Sequence, residues 1–367
     1  MEFNYSNISE QIPKEILSAL ESLRRDIEVD EYIDKGGNGH IFLGYHQIFK
    51  ERIAIKFYYS GENFHKEVQL MSSISHKNIL KVWDARTIDG GWAYFLTSEL
   101  KNGDLDDYIN NNRISLRKGL KIVRSILDGL STMHSPPFFL VHRDLKPANI
   151  LVNDKGYAKI ADFGSIKRLP EDQPYVSGSN HASLYTPPES YERNIYNISS
   201  DLYQVGLVMY QILGGNLPYD PLKWFNNREM KKYKKLESDF EKSKFVDNVL
   251  YNRAKREKLI DLNTLPLYCD SKIKRILRKA TRANYSRRYN TTAEFLYAIH
   301  NLGEIPDWKI KDNIIYIENY NNKDYRIMEC KNGYVCKKNV GSGWRKEPKI
   351  KIGSKKEVVL KLMELFS

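Results

Sequence analysis

Cysteine is scarce, with three residues in a chain of 367, and none stands with histidine at zinc-ligand spacing. A disulfide framework and a structural zinc module are excluded, and a reducing cytoplasm is the expected setting. Long apolar runs are also missing: none approaches the roughly 20 residues that cross a bilayer, so no membrane partner is expected. Met1 to Glu10 lacks the basic and apolar regions of a signal peptide, which again points to a soluble protein. No segment is biased enough to read as disordered, and no internal repeat is visible. Acidic charge is the minority, with 46 Asp and Glu against 58 Lys and Arg, for a net +12. That surplus favours acidic partners without naming one.

What is present centres on His142 to Gly164, HRDLKPANILVNDKGYAKIADFG. Its polar residues follow an order suited to phosphoryl transfer. Asp144 can orient a hydroxyl nucleophile, Lys146 can neutralise charge on the moving group, and Asn149 with Asp162 can hold metal ions bridging nucleotide phosphates. Ile150 to Val152 and Tyr157 to Ala161 read as strands around a turn at Asn153 to Gly156. A hairpin of that kind brings Asn149 and Asp162 to the same end.

His142-Arg143-Asp144 to Asn149, followed by Asp162-Phe163-Gly164, resembles the catalytic and metal loops of the eukaryotic-type protein kinase superfamily. Ile53-Ala54-Ile55-Lys56 is similar to the strand carrying that family's phosphate-contacting lysine, and Glu67 to its ion-pair partner. Gly36, Gly37 and Gly39 gather at a turn. Gly36 and Gly39 match the second and third glycines of the family's phosphate loop and Ile41 the apolar residue after it, while Asp34 replaces the first glycine. Trp92 to Glu99 reads as a buried strand entering a hinge at Leu100 to Asp104, about one residue shorter than the common pattern. In that alignment Ser98 falls at the gatekeeper position behind the adenine.

The resemblance implies an α+β, bilobal kinase-like fold using ATP and magnesium. ATP would be held by Gly36, Gly37, Gly39, Ile41, Ala54, Lys56, backbone groups of Glu99 and Lys101, and Leu151. Asn149 and Asp162 would hold the metal, and Asp144, Lys146, Lys56 and Glu67 would serve catalysis on a protein substrate. Lys146, two residues after the proposed base, resembles the Ser/Thr group. Ser165 to Pro188 has the composition of an activation segment closed by Thr186-Pro187-Pro188-Glu189, with Ser177, Ser179, Ser183 and Tyr175 as phosphorylation candidates that Arg143 could pair with. Ala182 stands where the family usually has a threonine. Asp201 resembles an anchor for the catalytic loop, and Arg288 a partner for Glu189.

The expected organisation is an N-terminal helical extension over 1–29, a kinase domain over 30–302 and a small accessory domain over 303–367. The kinase domain would divide into an N-lobe, 30–99, and a C-lobe, 103–302, with a basic helical insertion at about 221–261. In the tail, Ile314 to Ile317, Tyr325 to Cys330, Tyr334 to Lys338 and Lys349 to Ile352 read as strands, followed by a helix opened by a Ser354–Glu357 capping box. A two-residue turn at Asn332-Gly333 would set Cys330 opposite Val335 and Cys336 opposite Glu329. Lysines and aromatics in the tail are compatible with an acidic protein or a nucleic acid as partner, as is the basic insertion. Two rivals to an active kinase are a pseudokinase scaffold and a kinase-fold protein whose tail carries the function.

Overall fold

The computed structural model describes residues 12–34, 39–59, 65–178, 184–341 and 343–366; in the helix over 65–73 the side chains of 65–67 and 71 stand outside that description. Gly36, Gly37, Ser179, Ala182, Ser183 and the Glu67 side chain therefore lie outside the described set.

The small lobe begins with α1 (Lys14–Leu23), whose Ile16, Ala19 and Leu20 are buried. It then runs through β1 (Ile27–Ile33), β2 (His40–His46), β3 (Glu51–Tyr59), α2 (His65–Ser73), β4 (Val82–Thr87) and β5 (Trp92–Ser98). The strands form an antiparallel sheet in the order β1-β2-β3-β5-β4. Period-two alternation divides its residues between two cores. Ile53, Ile55, Phe57, Tyr94 and Leu96 pack under α1 on the outer face, while Ala93 and Phe95 belong to the large-lobe core beneath. Gly39 allows β2 to start close against β3: its φ is +118°, and a Cβ there would meet the Phe57 carbonyl oxygen at 2.0 Å.

The large lobe contains α3 (Leu105–Asn111) and α4 (Leu116–His134), then β6 (Leu140–Val141), β7 (Ile150–Val152), β8 (Ala158–Ile160), β9 (Lys167–Arg168) and β10 (Val176–Ser177). There follow α5 (Pro188–Arg193), β11 (Ile195–Tyr196), α6 (Ile198–Ile212), α7 (Asn227–Tyr233), α8 (Asp239–Lys255), α9 (Ser271–Ala280) and α10 (Thr292–His300). Leu120, Val123, Ile126, Leu127 and Leu130 of α4 are all buried, as their helical spacing requires. The described part of the segment after Gly164, residues 165–178, contains two short strands. Its β9 pairs with β6 and its β10 with β11, because backbone groups near the core need partners even where side chains favour turns.

The tail forms a separate antiparallel meander, β12 (Trp308–Lys311), β13 (Ile314–Tyr320), β14 (Lys323–Cys330), β15 (Gly333–Asn339) and β16 (Trp344–Lys346), then α11 (Lys355–Phe366). One sheet face packs on α11 through Ile315, Ile317, Tyr325, Ile327 and Cys336, and joins the large-lobe core through Trp308. The Ser354–Glu357 box is formed, with the Ser354 amide donating to Glu357 Oε2 at 2.8 Å and the Glu357 amide to Ser354 Oγ at 3.3 Å. Three expectations for the tail are corrected. Strands β12 and β16 exist although neither was expected, and Lys349–Ile352 is a turn segment rather than a strand. Cys330 pairs with Gly333 and Cys336 with Ile327, so the hairpin loop is Lys331-Asn332, one residue earlier than anticipated. The two thiols still occupy opposite faces, and all three cysteines are free.

Candidate active site

Between the lobes lies a cleft of about 560 Å³, lined by Gly39, Ile41, Ala54, Lys56, Thr97 to Lys101, Asn149, Leu151 and Asp162, among others. Its floor is the β7–β8 hairpin. Ile150 pairs with Ile160 and the Ala161 amide donates to the Asn149 carbonyl at 3.0 Å, which brings Asn149 and Asp162 to one end. The hairpin is fixed from both sides. Val152 N–H donates to the Gly103 carbonyl at 2.9 Å, and Ile160 exchanges bonds of 2.9 Å with Asn78 and Leu80.

The catalytic loop is suspended from α6. Asp201, fully buried, accepts from the His142 amide at 2.8 Å, the Arg143 amide at 2.9 Å and His134 Nε2 at 2.8 Å. One turn along, Gln204 accepts from the Leu145 amide at 2.8 Å and donates to the Arg143 and Tyr185 carbonyls. The loop needs that support, since Arg143 has φ +73°, a left-handed conformation costly for a non-glycine residue. Asp144 emerges with Oδ2 accepting from Lys146 Nζ at 2.8 Å and from Asn149 Nδ2 at 2.9 Å. Asn149 Nδ2 also reaches the Asp144 carbonyl at 2.8 Å. With its nitrogen so engaged, the amide oxygen of Asn149 is left as an acceptor.

Asp162 lies 3.8 Å from Lys56 Nζ. Burial pushes its carboxyl upward, but the charges of Lys56, His142 and Lys146 and the Gly164 amide outweigh it and hold the group below its ordinary value. An ionised carboxylate and an amide oxygen at one end of a hairpin suit a hard, oxygen-liganded cation.

A family sequence model described as protein kinase domain matches residues 27–297. The chain belongs to the protein kinase family. Among similar proteins are a probable serine/threonine-protein kinase PknB of Lactococcus lactis, 30% identical over 200 residues (51% of this chain, 31% of that protein), and the serine/threonine-protein kinase PrkC of Bacillus subtilis, 31% identical over 199 residues (51% and 30%). A probable serine/threonine-protein kinase pknA2 of Bifidobacterium longum is 35% identical over 162 residues (43% and 21%). The matched regions span less than a third of these curated relatives.

The kinase hinge differs from its expected register. Directly opposite residues on paired strands share a sheet face. Ala54 pairs with Thr97 and Lys56 with Phe95, whereas Ser98 pairs with Ile53 of the outer core. Thr97 therefore takes the gatekeeper position assigned to Ser98, with its Oγ1 donating to the Lys81 carbonyl at 2.8 Å. With Thr97 in that role no residue is missing from the hinge. The Glu99 amide already donates to the Arg52 carbonyl at 3.1 Å, and its carboxylate accepts from Arg52 Nε at 2.6 Å. The Glu99 N–H is thus engaged in the sheet rather than free for adenine.

In the kinase activation segment, Arg143 Nη1 donates to the Ser165 carbonyl at 2.9 Å and Nη2 to the Gly178 carbonyl. Ser177 is exposed, and Lys167 Nζ donates to its hydroxyl. Exposed Tyr175 is two residues away. Arg288 and Glu189 form the expected pair, fully buried and doubly bonded at 2.7 Å. Gln204, Thr97 and Lys167 were not singled out from the sequence. Only Gln204 carried a signal, standing three residues after Asp201 and so on the same helical face.

Proposed function

We propose that this chain is an ATP- and magnesium-dependent protein serine/threonine kinase with a small accessory domain. The observation that carries the reading is the convergence of Lys56, Lys146, Asn149 and Asp162 on one cleft, with Asp144 hydrogen-bonded to two of them. Lys56 neutralises nucleotide phosphates at the roof of the cleft. Asp144 accepts the proton of the incoming hydroxyl, and Lys146, bonded to it, meets the charge that develops as the phosphoryl group moves. Asn149 Oδ1 and the Asp162 carboxylate are the groups that would hold a divalent metal, which would supply charge neutralisation between the phosphates. A volume of about 560 Å³ suits a small-molecule ligand. Ala54 and Leu151 provide apolar contacts for the base; the roles of Glu67 as the lysine's partner and of Gly36 and Gly37 in the phosphate loop rest on the family resemblance alone, since the Glu67 side chain and both glycines lie outside the described residues.

Regulation through the activation segment belongs to the same proposal. A phosphate on Ser177 would meet Lys167 and the Arg143 that already binds the neighbouring Gly178. The divisions at residues 29 and 302, the cytoplasmic setting and the protein substrate are likewise proposed. Three free thiols fit a reducing compartment, and among the described residues no helix is long and apolar enough to cross a membrane.

Incubation with labelled ATP, magnesium and peptides carrying serine, threonine or tyrosine tests the reading. Label on serine and threonine is expected. Label on tyrosine alone would contradict the specificity, and nucleotide binding without transfer would favour the pseudokinase.

A further inference from the structure

The meander of the tail presents two unlike faces. One is the apolar face on α11 and Trp308. On the other, a single cross-strand row takes one residue from each strand: Lys309 opposite Tyr316, Tyr316 opposite Arg326, Arg326 opposite Lys337 and Lys337 opposite Lys346. At about 4.8 Å per strand this row runs for roughly 19 Å. Trp344 lies on the same face, paired with Asn339, and the Arg326 guanidinium sits 4.3 Å from its ring centroid.

Like charges directly opposite across strands repel, yet Arg326, Lys337 and Lys346 occupy three consecutive positions. Among the described residues none of the three has a carboxylate within ion-pair distance. The nearby acids are engaged elsewhere: Glu318 with Lys309, Asp324 with the Asn319 amide at 2.9 Å, and Glu347, on the other face, with Lys338 at 3.0 Å. Arg326, Lys337 and Lys346 therefore form a cationic track that the fold itself does not neutralise, while Lys309 at the end of the row is paired with Glu318. Tyr316 and Trp344, both part-exposed, add aromatic surface along it.

We propose that this sheet face binds single-stranded nucleic acid, with Arg326, Lys337 and Lys346 following the phosphates and Tyr316 and Trp344 receiving bases. A positive track with interleaved aromatics is the general form of such sites. A globular acidic protein would use the charge but leave the rings without a role. None of these residues lines the cleft, so the inference stands whether or not the chain transfers phosphate.

The experiment uses the full chain and a short fluorescein-labelled single-stranded RNA or DNA of mixed sequence, with binding followed by anisotropy from about 50 to 200 mM salt. Affinity should fall linearly with salt on logarithmic axes. The double variant Lys337→Glu/Lys346→Glu should bind more weakly and reduce the slope by about 0.7 for each lost phosphate contact. Trp344→Ala should weaken binding by about 5- to 150-fold, and Lys337→Arg/Lys346→Arg should restore it. The Glu variants relieve a like-charge ladder, so their melting midpoint should hold or rise, which separates lost binding from lost folding. No binding at low salt, an unchanged slope in the Glu double variant, or binding to phosphatidylserine vesicles without binding to the oligonucleotide would each overturn the proposal.

Discussion

At the scale of single residues, Asn149 decides how two neighbouring roles are kept apart. Its nitrogen donates to the carbonyl and the carboxylate of Asp144, leaving its oxygen as the acceptor that would hold the proposed cation. Asn149→Asp removes those donors and sets carboxylate against carboxylate. Phosphoryl transfer to a serine-containing peptide should then fall in the variant. Asp162 carries the pH dependence. Its carboxyl is held below its ordinary value, so its contribution to stability is present above about pH 4 and is lost only as pH falls through the lowered value. Between pH 5 and 8 an Asp162→Asn variant and the parent should therefore show parallel stability profiles in chemical denaturation.

Thr97 carries a further consequence at this scale. Because it shares the sheet face of Ala54 and Lys56, Thr97→Phe should close the space behind the adenine and remove inhibition by bulky adenine mimics. Ser98→Phe, on the outer face, should leave inhibition unchanged. Inhibitor titration of the two variants distinguishes the registers.

Among the elements, α5 and the loop before α10 are joined by the Arg288–Glu189 pair, with side chains 0% and 3% exposed. Arg288→Met would leave Glu189 buried and uncompensated, at a cost of about 3–5 kcal/mol, read as a lowered denaturant midpoint with an unchanged m-value. The pair and the Asp201 anchor were legible in the sequence because the stretches around Glu189, Asp201 and Arg288 resemble the kinase family's. The β7–β8 hairpin was legible for a different reason: its turn and its alternation lie within one short stretch. The gatekeeper was not, since its identity depends on how β5 registers against β3, a long-range pairing that the local pattern of Phe95 to Glu99 leaves open. Strands β12 and β16 escaped notice because each is short and charged, as edge strands commonly are. The turn at Lys331-Asn332 escaped because the neighbouring Asn-Gly pair is the stronger local signal.

For the whole molecule, the tail is held on the large lobe by a small set of contacts. Trp308 is 2% exposed and stacks on Tyr268 with ring centroids 5.4 Å apart. Arg117 holds the approach to it, with its amide on Asp307 Oδ1 at 2.9 Å and its Nη2 on the Ile305 carbonyl at 2.9 Å. Trp308→Ala removes the largest of these contacts at a cost of about 3–5 kcal/mol. The expected result is a shift from one thermal transition to two, as tail and lobe uncouple, with phosphoryl transfer retained below the first. That the tail has its own sheet and helix was readable from alternation and capping. That Lys309, Arg326, Lys337 and Lys346 share one face was not, because face assignment needs the register of all five strands.

The proposed phosphoryl transfer turns on Asp144 as the residue that would receive the acceptor proton. Its most direct test is transfer from labelled ATP to a serine-containing peptide by the parent chain and by Asp144→Ala, with nucleotide binding measured on both. Transfer should fall by about 10²- to 10⁴-fold in the variant while ATP binding persists. Equal incorporation by the two proteins would contradict the account.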